Sequence, residues 1–173
     1  MSKQLIFSLI SLVFASCSFA QKSSTGVRVS SKSVSLLPSE TGDFKYDILN
    51  MVNVVRAKGC TCGSKKMPPV ATLTWNGKLE KAAIFHSADM ARYDRLDHIG
   101  SDGSEIDNRA DKVGYAWREL GENIAVGQTS ITQVIQDWLK SPSHCKQLMS
   151  DKVTEMGAAK NGKYWSQEFG KPR

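Results

Sequence analysis

The sequence predicts an α+β domain in which helices are layered on a small antiparallel sheet. Three observations predict it. Apolar residues recur every three or four positions early in the chain, as at Phe44, Ile48, Met51, Val52 and Val55. Near the C-terminus the period becomes two on either side of Asn161-Gly162, a strong hairpin-turn pair. The 173 residues, 40% hydrophobic and 23% charged, suit one domain with a proper core. Helices followed by a hairpin cover the sheet's apolar faces with those helices.

The elements follow in order. Residues 21–43 are serine-rich and lack helical period, so they read as a flexible tether that lays a few apolar side chains on the domain. The first helix spans Phe44–Lys58, capped by Asp43 and ended by Gly59. Cys60–Val70 reads as a loop, broken by Gly63 and Pro68-Pro69. Asn76 caps a second helix running to about Arg95, with Leu79, Ala82, Ala83, His86, Met90 and Tyr93 on one face. His86 within that stripe reads as a buried histidine held by a hydrogen bond. A polar loop, Asp97–Gly103, carries His98. Ser104 and Asp107 open a short helix to Val113, and an Asp102–Arg109 ion pair is expected to brace the loop. Tyr115–Gly127 reads as a connection. Ser130 opens a helix whose Ile131, Val134, Ile135 and Trp138 face inward. Thr154–Lys160 and Lys163–Phe169 form the hairpin, with Trp165, Gln167 and Phe169 on one face.

The N-terminus has the pattern of an export signal. Lys3, the apolar run Leu5–Ala15 and Ser18-Phe19-Ala20 match its three regions, so cleavage is expected after Ala20. Lipid attachment at Cys17 is the alternative, though Phe14-Ala15-Ser16 fits a lipoprotein signal only loosely. Loss of Lys3 lowers the net charge from +6 to +5. A basic surface suits anionic membranes or envelope polymers. No dense basic run argues for nucleic acid, and no later segment could cross a membrane.

Cys60, Cys62 and Cys145 follow the leader. Export allows disulfides, and an odd count leaves one thiol over. A Cys60–Cys62 ring would be strained, so the bond runs from this pair to Cys145, with Cys62 the better candidate. A zinc site from the three cysteines and His144 is the competing reading.

The stretch Asp137–Met149 gathers candidate chemistry. Ser141 and Pro142 begin a helix, placing His144 in its first turn beside Cys145. The positive end of a helix dipole favours the neutral, metal-binding imidazole. Adjacent helical side chains point about 100° apart, so His144 and Cys145 are not a catalytic dyad. No GxSxG or HExxH motif is present.

Taken together, His86-Ser87-Ala88-Asp89-Met90-Ala91, Asp97-His98-Ile99-Gly100-Ser101-Asp102-Gly103, Gly114-Tyr115, Gly121-Glu122-Asn123-Ile124-Ala125, Trp138, Ser141-Pro142-Ser143-His144, Thr154-Glu155-Met156-Gly157 and Tyr164-Trp165-Ser166-Gln167-Glu168-Phe169-Gly170 have a recognisable order. This order resembles the CAP family of cysteine-rich secretory, antigen 5 and pathogenesis-related proteins, in its short bacterial exported branch. The resemblance covers about Phe44 to Gly170, within a domain of residues 44–173.

The resemblance implies a three-layer α-β-α sandwich and a cavity of two histidines and two acidic residues that holds a divalent ion in some relatives. His98, Glu122 and His144 match three of those positions. The fourth glutamate is replaced by Ser141, and Glu155 is offered as its substitute. The resemblance also implies a Cys62–Cys145 disulfide with Cys60 free. The expected function is a secreted, non-enzymatic binding module for lipid or sterol, an envelope component or a protein, with zinc favoured over calcium or magnesium. The rival is a secreted metal-dependent hydrolase of peptidase type, using His98, Glu122 and His144 as catalytic residues.

Overall fold

The computed structural model describes residues 37–173. The expected leader, Cys17 and the serine-rich segment up to residue 36 lie outside the described residues. Among those described, no helix is long and apolar enough to cross a membrane.

Helix α1 spans Phe44–Lys58, and the Asp43 carboxylate accepts from the Tyr46 N–H. Gly59 ends it at φ 72°, a left-handed conformation that glycine adopts without a Cβ clash. Its buried stripe is Ile48, Met51, Val52 and Val55. The chain before it is already engaged. Leu37 packs against the core, and Thr41 donates to Asp47 through its N–H and its hydroxyl, both at 2.8 Å.

The expected Cys60–Val70 loop is instead a hairpin of β1 (Cys60–Cys62) and β2 (Lys65–Met67), turning at Gly63 with φ 63°. Strands of three residues are too short to leave a periodic signal. β3 (Thr74–Trp75) leads into α2 (Gly77–Tyr93), whose cap Asn76 accepts from the Lys78 and Leu79 N–H groups. That helix ends at the left-handed Asp94, slightly before Arg95. α3 (Ile106–Lys112) starts from Glu105 rather than Ser104. There the Asn108 side chain accepts from the Glu105 N–H, while the Ser104 carbonyl accepts from Gly100.

The largest correction is β4, Trp117–Val126, where only a connection was expected. Gly121-Glu122-Asn123 interrupts the apolar alternation because its buried face meets polar groups rather than an oily core. α4 (Ile131–Lys140) buries Ile131, Val134, Ile135 and Trp138 as expected. α5 (Pro142–Leu148) begins with Pro142, but the Ser141 hydroxyl makes no cap bond and lies 3.2 Å from the Ser143 hydroxyl. β5 (Glu155–Asn161) and β6 (Tyr164–Pro172) form the predicted hairpin, with Gly162 at φ 56° in its turn.

The main sheet has the order β3-β5-β6-β4. β3 runs parallel to β5, and the other pairs are antiparallel. Ile48, Met51, Trp138, Leu148, Met156, Trp165 and Phe169 form the core under α1, α4 and α5. α2 covers the other face. β6 is therefore buried without interruption from Tyr164 to Gly170, and the architecture is the three-layer α-β-α sandwich.

Gly157 sets the closeness of the α2 layer, because a Cβ there would overlap the Glu80 backbone nitrogen. Gly157→Ala is expected to lift α2 and cost about 3 kcal/mol, measured by urea unfolding. An unchanged midpoint would show that the helix can move freely.

Candidate functional site

Glu122 of β4 and Glu168 of β6 face each other across the antiparallel pair. Strand alternation turns both toward the α2 side. α2 brings His86, the loop between α2 and α3 brings His98, and α3 brings Arg109. Glu122 is the hub. Its Oε1 lies 2.5 Å from His98 Nδ1, and its Oε2 accepts from Arg109 Nη2 at 2.5 Å. His86 Nε2 stands 3.6 Å from the same Oε2. Arg109 Nε is 4.0 Å from Glu168 Oε1, which also accepts from the Ser166 hydroxyl at 3.1 Å.

This cluster is buried except at one end. His86, Arg109, Glu122 and Glu168 side chains are at most 5% exposed, whereas His98 is 58% exposed. His98 and Glu122 border a surface depression of about 330 Å³ with Ile99, Glu105 and Ile106.

The charges sort by partner. Burial alone would raise the Glu122 pKa, but the bonds from His98 and Glu168 and the charge of Arg109 hold it below the ordinary carboxylate value. Glu168 is raised well above that value by burial and by the neighbouring Glu122 charge. Burial lowers His86, against the pull of Glu122. His98 is raised, first by its hydrogen bond to Glu122. A histidine raised on folding stabilises the fold below its unfolded pKa and loses that contribution as pH rises through the folded value. Glu122→Gln is therefore expected to lower the His98 titration midpoint followed by NMR. An unchanged midpoint would remove the carboxylate as the cause.

His144 sits half-buried in the first turn of α5. Its carbonyl accepts from Asn123 Nδ2 at 3.3 Å. Adjacent residues of β4 thus serve opposite faces: Glu122 grips the His98 ring and Asn123 holds the His144 backbone. Burial lowers the His144 pKa, and His98 is close enough for its charge to lower it further.

Glu155 is not brought to this group. It accepts from the Tyr115 hydroxyl at 2.7 Å and from Asn76 at 3.1 Å, beside a different depression. The expected Asp102–Arg109 pair does not form. Asp102 accepts from the Ser104 N–H, while Arg109 donates to the His98 and Ser104 carbonyls. Arg109 does brace the His98 loop, but through backbone carbonyls, because its charge is used by Glu122. His86 is buried as expected, yet neither ring nitrogen has a hydrogen-bond partner. Glu168 as a member of the cluster and Glu122 as the ionic partner of Arg109 are not signalled by the sequence reading. A charged residue within the otherwise uncharged run from Tyr164 to Gly170 was the available signal for Glu168.

The Cys62–Cys145 disulfide is present, with Cα atoms 5.4 Å apart, and Cys60 is a free, half-buried thiol. The three sulfurs lie within 4.8 Å of one another, close enough to hold a metal ion. They could do so only with the disulfide reduced, because the thiolate is the ligand. His144 is not part of that group.

Residues 49–169 match the family CAP: Cysteine-rich secretory protein family. The chain is 27% identical over 122 residues to the uncharacterized membrane protein YlbC of Bacillus subtilis, covering 70% of this chain and 33% of that protein. It is 26% identical over 134 residues to the uncharacterized protein YkwD of the same organism, covering 76% and 49%. The chain thus spans a third to a half of these curated relatives.

Among solved structures, an extracellular protein containing an SCP domain from Bacillus anthracis has a TM-score of 0.66 and 24% identity, over 73% of this chain and 40% of that one. An outer surface protein from Borrelia burgdorferi has a TM-score of 0.56 and 22% identity, over 60% and 80%. With the fold and most of the chain matched, this protein belongs to the cysteine-rich secretory protein (CAP) family.

Proposed function

We propose that the chain is an exported binding module whose cleft takes a divalent cation between His98 and His144, zinc in preference to calcium or magnesium. The observation that carries this reading is the Glu122 grip on His98 Nδ1 at 2.5 Å. A carboxylate on one ring nitrogen fixes the tautomer and orientation and leaves Nε2 for a metal. Both Glu122 oxygens are engaged, by His98 and Arg109, so Glu122 orients rather than ligates. Burial keeps His144 toward its neutral, ligating form. Imidazole donors suit zinc better than the hard cations calcium and magnesium. The leader pattern of residues 1–20 supports export. The basic net charge supports contact with lipid, an envelope polymer or an acidic protein partner.

Calorimetric titration of zinc into oxidised, Cys60-alkylated protein tests this. Wild type is expected to bind one ion, and Glu122→Gln about 10–100-fold more weakly. Equal binding by wild type and the His98→Ala/His144→Ala double variant removes the reading. The split pKa values of Glu122 and Glu168 favour a second reading, metal-dependent hydrolysis with acid–base residues. Peptide turnover lost in Glu122→Gln with folding intact would promote it over simple binding.

A further inference from the structure

Cys60 serves neither the disulfide nor the proposed cleft. β1 alternation puts Cys60 and Cys62 on the same face, flanking the exposed Thr61, and both turn toward α5. Cys60 Sγ lies 3.6 Å from Cys145 Sγ and 3.8 Å from Cys62 Sγ. A thiol touching both sulfurs of a disulfide is placed for exchange rather than for packing alone.

We propose that Cys60 is a thiol–disulfide exchange site that lets β1 hold α5 through either of two cysteines. The Cys60 thiolate attacks Cys145 Sγ. The Cys60–Cys145 bond forms as the Cys62–Cys145 bond breaks, and Cys62 leaves as a thiolate. Cys62 takes up one proton, matching the one Cys60 released to water, so no oxidant or reductant is consumed.

Two features restrain the reaction at rest. The nearly equal separations place Cys60 beside the disulfide rather than in line with it, so β1 or the Cys60 side chain must swing first. Burial also raises the Cys60 pKa, which keeps thiolate scarce. The product leaves Cys62 as a buried thiol, which packs as a small hydrophobe. Exchange changes the tethering point by two strand residues, about 7 Å of chain. It does so at the residue next to His144, so the thiol state acts on the turn that carries the cleft histidine.

The test uses the full oxidised chain in mildly alkaline buffer with a trace of small thiol. Acid quenching, alkylation and non-reducing peptide mapping follow. The expected result is a population with Cys62 alkylated and a Cys60–Cys145 linked peptide, both absent from Cys60→Ala. Alkylation confined to Cys60 would overturn the proposal. In a second arm, Cys62→Ala is oxidised with glutathione disulfide. A monomer linked Cys60–Cys145 is expected, with a higher Tm than Cys60→Ala/Cys62→Ala. Free or glutathione-capped Cys60 and Cys145 in that variant would equally overturn it.

Discussion

Replacing Arg109 with methionine is expected to cost about 3–5 kcal/mol of folding stability, measured by urea unfolding at neutral pH. The guanidinium is 4% exposed and contacts the buried Glu122 carboxylate directly. Without it, Glu122 keeps His98, which is largely solvated, and His86, whose pKa burial lowers. The fully buried Glu168 is a second carboxyl, its pKa raised well above the ordinary value by burial, and it offers Glu122 no positive charge. An uncompensated buried carboxylate answers by protonating, so the folded pKa of Glu122 should rise above its unfolded value. The sign of the pH effect follows: the defect is largest at neutral pH and shrinks as pH falls through that raised value. Adding Glu122→Gln to Arg109→Met should recover much of the loss, because the orphan charge is gone. A cost below about 1 kcal/mol would place the cluster in effective contact with water.

Cys145→Ala is expected to remove about 4–5 kcal/mol, since the disulfide closes a loop of sequence separation 83 and chain entropy scales with the logarithm of loop length. Choosing Cys145 rather than Cys62 denies Cys60 the chance to substitute. Guanidinium unfolding of the variant and of reduced wild type should agree closely, because both lose the same cross-link. A midpoint unchanged from oxidised wild type would mean that packing alone holds β1 against α5. The variant should also weaken the zinc binding proposed above, since His144 shares the freed turn. Either loss is a large part of the roughly 5–15 kcal/mol that holds a typical domain together.

The helices were legible because each carried a complete set of local signals. α1 has a cap, a stripe and a terminal glycine within sixteen or so residues, and all three act through neighbours in the chain. The Asn161-Gly162 turn was legible for the same reason. β4 was not, because Glu122 and Asn123 violate strand alternation, and their partners lie on α3, on α5 and in the His98 loop. The β1–β2 hairpin is too short to have a period at all.

For the site, motif order singled out His98, Glu122 and His144 but could not state what each side chain does. Packing decided that Glu122 is a hub held by Arg109, and that Glu155 belongs with Tyr115 and Asn76. It also decided that Asp102 bonds within its own loop. By itself the sequence determined the helices, the final hairpin, the odd cysteine and the residues worth watching, since these follow from short-range periodicity, turn chemistry and counting. Only the tertiary structure decided which charges meet inside the sandwich and that Cys60 touches the disulfide. Those pairings depend on strand register and layer spacing, which are set by the burial of residues far apart in the chain.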